Sequence, residues 1–225
     1  MEIHLLVYRT TQQTETRKME LRRRILDVAR DLVARWGFGG VQMSAVALDC
    51  GIAVGTLYRY FPAKQELFAE VFRAAAQREV DQLASVAASP WPADRRLVRS
   101  IWVFTARASR SRRLAYSLIA EPVDPIIETE RLNFRRAYDA VFRRIIADGT
   151  AAGLFDVADQ GVAAAAIVGA MAEALVGPLA PNRGMDAEQT AALAAAMTQF
   201  CLRALTGRNH ACLDADQQSY DARGG

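Results

Sequence analysis

Two amino acids are nearly missing from this chain of 225 residues: histidine occurs only as His4 and His210, and lysine only as Lys18 and Lys64. A histidine general base or a histidine-bearing metal site therefore has almost no residues to draw on. There is no Ser-His-Asp set, no metal-ligand spacing and no glycine-rich phosphate loop. No catalytic residue, metal or cofactor is expected, and the chain does not read as an enzyme. Cysteine is scarce as well. Cys50, Cys201 and Cys212 make an odd number without a CxxC spacing, and the N-terminus lacks a signal-peptide pattern, which implies a reduced, cytoplasmic protein. Excess charge is lacking too: a net charge of +3 is too small to argue for nucleic acid by itself. Strand-like alternation of useful length is absent, and glycine (14) and proline (7) are few. The apolar fraction of 52%, much of it alanine, suits a packed, mostly helical fold.

What is present is helical periodicity. Residues 1–16 carry no sustained period and are expected to form a flexible arm. From Met19 onward Leu21, Ile25, Val28, Leu32 and Trp36 recur at helical spacing, and the glycines of GFGG at 37–40 end that helix. Short helices follow at about 43–50 and 54–61, Pro62 closes the second, and a longer helix runs from about 64 to 88. The prolines of SPWPAD (89–94) halt it. Further helices are expected at about 95–110, 112–120, 125–152, 158–177 and 186–206. The expected organisation is all-α. It has a small N-terminal unit at 17–64, a larger helical unit at 65–206 entered through the helix at about 64–88, and a disordered tail at 207–225. The apolar run at 161–180 is long enough to suggest a membrane span. Its Ala and Gly content, and Glu173 at a cost of roughly 2.5 kcal/mol or more in hydrocarbon, favour a buried soluble helix and no membrane partner.

The second and third helices carry the sharpest signal. A helix-turn-helix needs a small residue where its helices approach, a glycine able to take φ > 0 in the turn and an apolar anchor beyond it. Ala47, Gly51 and Leu57 meet those needs, with Val46 and Ile52 around the same corner. Projected at 100° per residue, Leu57 and Phe61 face inward with Val54 close by. Gly55 and Arg59 point nearly opposite, flanked by Thr56 and Tyr58. Arginine can pair bidentately with guanine, and hydroxyls can reach phosphate oxygens, so this face suits the major groove. Lys64, at the start of the next helix, offers a phosphate contact.

These residues carry a resemblance. GFGGVQMSAVALDCGIAVGTLYRYFPAKQELF (37–68), above all GTLYRYF at 55–61 and Lys64, resembles the DNA-binding domain of the tetracycline-repressor (TetR) family. The remaining helices resemble that family only in number and length. The resemblance implies that Thr56, Tyr58 and Tyr60 meet DNA, with Lys64 on phosphate. The candidate DNA-facing residues are thus Val54, Gly55, Thr56, Tyr58, Arg59 and Tyr60, with Gln42 and Ser44 on the second helix and Lys64 beyond. Val41 and Gln42 stand where the family often has a capping Thr, and Ala53 where it often has Ser. Each departure removes a contact worth up to about 1 kcal/mol, and Ser44 is the alternative cap. The basic residues Arg17, Lys18, Arg22, Arg23 and Arg24 form either a groove-seeking arm or a solvated helix face.

The resemblance gives the larger unit two tasks, binding a small molecule and pairing two chains. Phe134, Tyr138 and Val141 on one stripe, with Trp102, Thr105 and Tyr116, are candidates for an apolar ligand pocket. Glu173 is either a pocket contact or a surface residue. Ala- and Gly-rich faces at 161–177 and 187–196 predict a homodimer built from the last two long helices. The function implied is a sequence-specific repressor released from a palindromic DNA operator by a hydrophobic effector. The alternative is a helical ligand carrier or interaction protein whose DNA-binding unit has decayed, favoured only by the missing caps.

Overall fold

The computed structural model describes residues 2–207, with side chains from Thr14 onward. Among the described residues there are nine α-helices and no strand. The first four are α1 (Glu2–Gly40), α2 (Met43–Asp49), α3 (Val54–Tyr60) and α4 (Lys64–Ala87). The others are α5 (Ala93–Arg110), α6 (Arg112–Ile119), α7 (Pro125–Ala151), α8 (Gln160–Leu179) and α9 (Ala187–Thr206). The all-helical expectation holds. At the front the structure differs, because helical backbone begins at Glu2, within the 1–16 segment read as an arm. Thr and Gln lower helix propensity only by fractions of a kcal/mol, roughly 0.7 at most, so a missing apolar period does not forbid helix. The expected tail, beyond Gly207, lies outside the described residues.

Apolar side chains gather into two main cores. One joins α1–α4 through Ile25, Val33, Leu57, Phe61 and Phe68. Within it Phe38 meets Phe68 edge-on at 5.7 Å and stacks on Phe72 at 6.2 Å. The other joins the far end of α4 to α5, α7, α8 and α9 through Leu83, Ile101, Phe142, Ile167 and Met197. Helix α4 belongs to both, with Phe72 and Ala76 in the first and Leu83 and Ala87 in the second. Helix α6 joins the first core to a third, smaller cluster. Its Leu114 and Leu118 pack on the first core, while Ala115 and Ile119 pack on that cluster at Leu175 and Leu179.

Helix ends follow local chemistry. Asp124, Asp159 and Asp186 cap α7, α8 and α9, the last in a reciprocal box with Gln189. Helices α2, α3 and α4 start at Gln42, Ala53 and Ala63 with no side-chain cap. Ser44 falls inside α2 and therefore does not serve as the alternative cap.

Helix α8 is the one described helix long and apolar enough to cross a membrane. Ala164, Ile167, Met171, Leu175 and Leu179 pack one of its faces against the protein, while only 28% of its most apolar stretch is buried in the single chain.

Burial also governs the cysteines. Cys50 and Cys201 are free thiols, 5% and 1% exposed. Desolvation pushes both thiols up, Cys201 to about 11. Both are expected to resist a thiol reagent at pH 8 in the native protein and to react on unfolding, which mass-spectrometric mapping of the label checks. The sign follows: a raised folded-state pKa contributes stability that is complete below the ordinary thiol range. That contribution is lost as pH rises towards about 11.

Candidate nucleic-acid interface and ligand cavity

The α2–α3 corner is built as the spacing demands. Ala47 and Leu57, 1% and 0% exposed, lie in the core on either side of the turn. Gly51 adopts φ 65° between them, a left-handed conformation that glycine takes without a Cβ penalty. The Ile52 N–H closes the turn on the Ala47 carbonyl at 3.0 Å.

This corner presents α3 with one face outward. Gly55, Tyr58 and Arg59 are exposed. Among the described residues no carboxylate pairs with Arg59, and a Cβ on Gly55 would meet nothing within 4 Å. Val54 is 41% exposed and so stands out from the core rather than close against it. Thr56 is half-buried, and Tyr60 packs partly on the first core, which leaves less of its ring outward than that of Tyr58. Gln42 and Ser44 are exposed at the start of α2. Lys64 opens α4 with its Nζ 5.3 Å from the Phe68 ring centroid, a cation–π contact that steadies the ammonium at a helix N-terminus. Arg22 is taken by the scaffold instead: it pairs with Glu70 and lies 5.1 Å over the Phe61 ring.

In the larger unit, α4, α5, α6, α7 and α8 enclose a cavity with an empty volume of about 930 Å³, counting the part open to solvent. Phe72, Leu83, Phe104, Phe142 and Met171 line it. Of the residues expected there, Phe134 and Tyr138 do line it. Phe104 meets Tyr138 edge-on at 5.9 Å, and burial pushes the Tyr138 hydroxyl well above its ordinary pKa, so it stays protonated.

The other expected pocket residues lie elsewhere. Trp102 is 36% exposed on the outside of α5, and the buried Thr105 points its hydroxyl at the Met197 sulfur on α9. Tyr116 packs at the Leu175–Leu179 cluster, Val141 at the second core, and Glu173 is exposed on α8. The reason is a small rotation. The lining face of α7 follows positions 131, 134, 135, 138 and 142, and that of α5 follows 104, 107 and 108. Apolar periodicity misses such a face because arginines are part of it.

Three arginines and one carboxylate line the cavity: Arg107, Arg131, Arg135 and Glu79. Arg107 binds Glu79 through two hydrogen bonds, at 2.6 and 2.7 Å. Arg131 pairs with Glu128 and donates to the carbonyls of Leu118 (2.9 Å), Ser117 (3.2 Å) and Glu121 (2.7 Å), holding the end of α6. Just past α6, the Glu121 carboxylate accepts from the N–H groups of Phe38 and Gly39, at 3.2 and 3.0 Å. Arg113 stands 3.9 Å from the same carboxylate. Here α1 breaks at Gly37, with φ 74° and ψ 173°. A Cβ at Gly37 would lie 2.4–2.6 Å from the Arg113 and Glu121 side chains. A chain of contacts thus leads from the cavity wall to the helix that supports the helix-turn-helix.

Comparison with known proteins agrees with this architecture. Residues 25–71 match the model of bacterial regulatory proteins of the tetR family, and residues 91–175 match that of the tetracyclin repressor-like C-terminal domain. Together the two spans cover more than half of the chain. The HTH-type transcriptional repressor KstR of Rhodococcus jostii is 44% identical over 71 residues, 32% of either chain. KstR of Mycobacterium tuberculosis is 31% identical over 135 residues, 58% of this chain and 60% of that one. The chain thus spans between about a third and three-fifths of the length of these relatives. The crystal structure of the transcriptional regulator FadR from Bacillus subtilis, in complex with stearoyl-CoA, superposes with a TM-score of 0.70. It is 19% identical and covers 81% of this chain and 98% of that one. With a helix-turn-helix, an enclosed cavity and both family models in register along one polypeptide, the chain belongs to the TetR family of bacterial regulatory proteins.

Proposed function

We propose that this protein is a cytoplasmic, homodimeric transcriptional repressor that binds a palindromic operator and leaves it when an effector enters the cavity. The observation that carries the reading is the exposed face of α3. Gly55, Tyr58 and Arg59 stand outward on a short helix whose Leu57 is fully buried. Gln42, Ser44, Val54 and Thr56 lie around that face, Tyr60 contributes its outer edge, and Lys64 meets phosphate. The KstR relatives are named as repressors, and FadR holds stearoyl-CoA. Both support a ligand-released repressor over a carrier with a decayed DNA-binding unit.

Pairing through α8 and α9 is supported by what the single chain leaves uncovered. Val162 and Phe200 are 67% and 62% exposed. A shallow groove of Ala170, Ala174, Leu193 and Ala196 lies between the two helices. A second α8–α9 pair would cover this apolar face, as in an isologous four-helix interface. The two α3 helices would then read half-sites one helical turn, or a multiple, apart.

Selection of bound duplexes from a random DNA pool tests the reading. A palindrome with that spacing is the expected product; only weak, salt-sensitive retention with no enriched sequence favours the carrier. On the selected site, Lys64→Ala is expected to weaken binding for every sequence alike. It should also reduce the slope of log affinity against log salt by about one. An unchanged slope would remove Lys64 from the interface.

A further inference from the structure

Helix α1 runs on past the core that it supports. Leu21 packs on that core, whereas residues 14–20, one and two turns earlier, are exposed throughout. A helical stretch with no buried stripe gains little from the protein that carries it. Arg17, Lys18, Arg22, Arg23 and Arg24 lie along this part of α1. Arg22 is held by Glu70. Arg17 and Arg24, seven residues apart, share one flank of the helix, and Arg23 lies on the side away from the buried Ile25. Both flank arginines are exposed, and neither makes an ion pair or hydrogen bond among the described residues. The acids within helical reach do not answer them. Glu20 forms no ion pair among the described residues, and Asp27 faces Arg30 and Arg78 at 3.4 and 3.9 Å. Lys18 has one exposed partner, Glu15 at 2.8 Å, a surface pair that another anion readily replaces.

This flank adjoins the DNA-reading corner. The Lys18 ammonium is stabilised first by Glu15, and it also feels Tyr60 and Arg59 on α3. At the α2–α3 turn the Cys50 thiol is raised first by burial, and it also feels the Arg24 charge. The basic flank therefore passes alongside the helix-turn-helix, from the end of α3 to the turn that precedes it.

Resting on the regulatory reading above, we infer that this flank of α1 is a second DNA contact. Arg17, Lys18 and Arg24 bind phosphates of the backbone beside the groove that α3 enters. Exposure is what this role requires, because the gain comes from counterions that the DNA releases, not from relief of a buried charge. Such contacts position the protein and add affinity without sequence information, which is left to α3.

Salt titrations of DNA affinity on the full chain test the assignment, with the selected operator and a scrambled duplex of equal length. Arg17→Ala combined with Lys18→Ala is expected to weaken binding to both duplexes by roughly tenfold. It should also lower the slope of log affinity against log salt by about two. Arg24→Ala should lower that slope by about one, and Arg23→Ala by much less. Alanine favours helix and all four side chains are exposed, so the fold is not at stake. An unchanged slope in the double variant would leave the flank as a solvated face and overturn the proposal. So would an Arg23→Ala loss equal to that of Arg24→Ala, which would reduce the effect to net charge, or a weakening confined to the operator. Failure of the regulatory reading looks different: no operator is selected, while the scrambled duplex still reports on the flank. A chain that retains neither duplex would overturn both.

Discussion

Replacing Glu121 by Gln is expected to lower the unfolding free energy by about 1–3 kcal/mol and to weaken the link between cavity and DNA. The carboxylate is 8% exposed and serves two backbone N–H groups at once, those of Phe38 and Gly39. A carboxamide accepts through one oxygen and turns its NH₂ towards the second N–H, so that a donor opposes a donor. Losing a charge-assisted acceptor in this way costs roughly 1–3 kcal/mol. Urea unfolding measures the stability part. The functional part rests on geometry: Glu121 follows α6, whose Leu118 lines the cavity, and the groups it holds end α1. Operator affinity with and without a bound effector should therefore differ less in E121Q than in the parent. Typical coupling energies correspond to about 5- to 150-fold changes in affinity. An undiminished ratio in a folded E121Q protein would place the coupling elsewhere.

Gly149→Ala is expected to destabilise by about 1–3 kcal/mol, although alanine is the better helix former by roughly 1 kcal/mol. Gly149 is buried near the end of α7, where the chain reverses and Phe155 folds back on the helix. The N–H groups of Leu154 and Phe155 both reach the Gly149 carbonyl, at 2.8 and 3.2 Å. An added Cβ would lie 2.1 Å from the Phe155 ring. Phe155 is 4% exposed and packs in the second core, so it can move only by disturbing its neighbours there. A double-mutant cycle separates clash from propensity: with Phe155 already replaced by Ala, the glycine substitution should be neutral or stabilising. A cost of the same size in that background would refute the clash.

How far the sequence disclosed these features depended on whether each was local. The helix-turn-helix was legible because three requirements fall within a dozen residues: Ala47 at the crossing, Gly51 in the turn and Leu57 as anchor. Helix ends were legible where Pro and Gly mark them. The cavity was only half legible. Phe134 and Tyr138 lie on an apolar stripe, but the stripe was read about one position out of phase, towards Val141. Apolar periodicity does not flag Arg131, which is buried, because charged residues on a helix usually face water, as Arg135 does. Glu121 and Gly149 act through partners 82 and 6 residues away, and no one-dimensional period encodes such pairings.

Helix α4 bears on anyone wishing to graft this DNA-reading head onto another effector domain. Because one unbroken helix supplies Phe68 and Phe72 to the first core and Leu83 to the second, a cut at the start of α4 strips the head of its own support. The splice belongs past Ala76, where α4 leaves the first core. Even there the recipient must supply a carboxylate for the N–H groups of Phe38 and Gly39, or the chimera will bind DNA without hearing its new ligand.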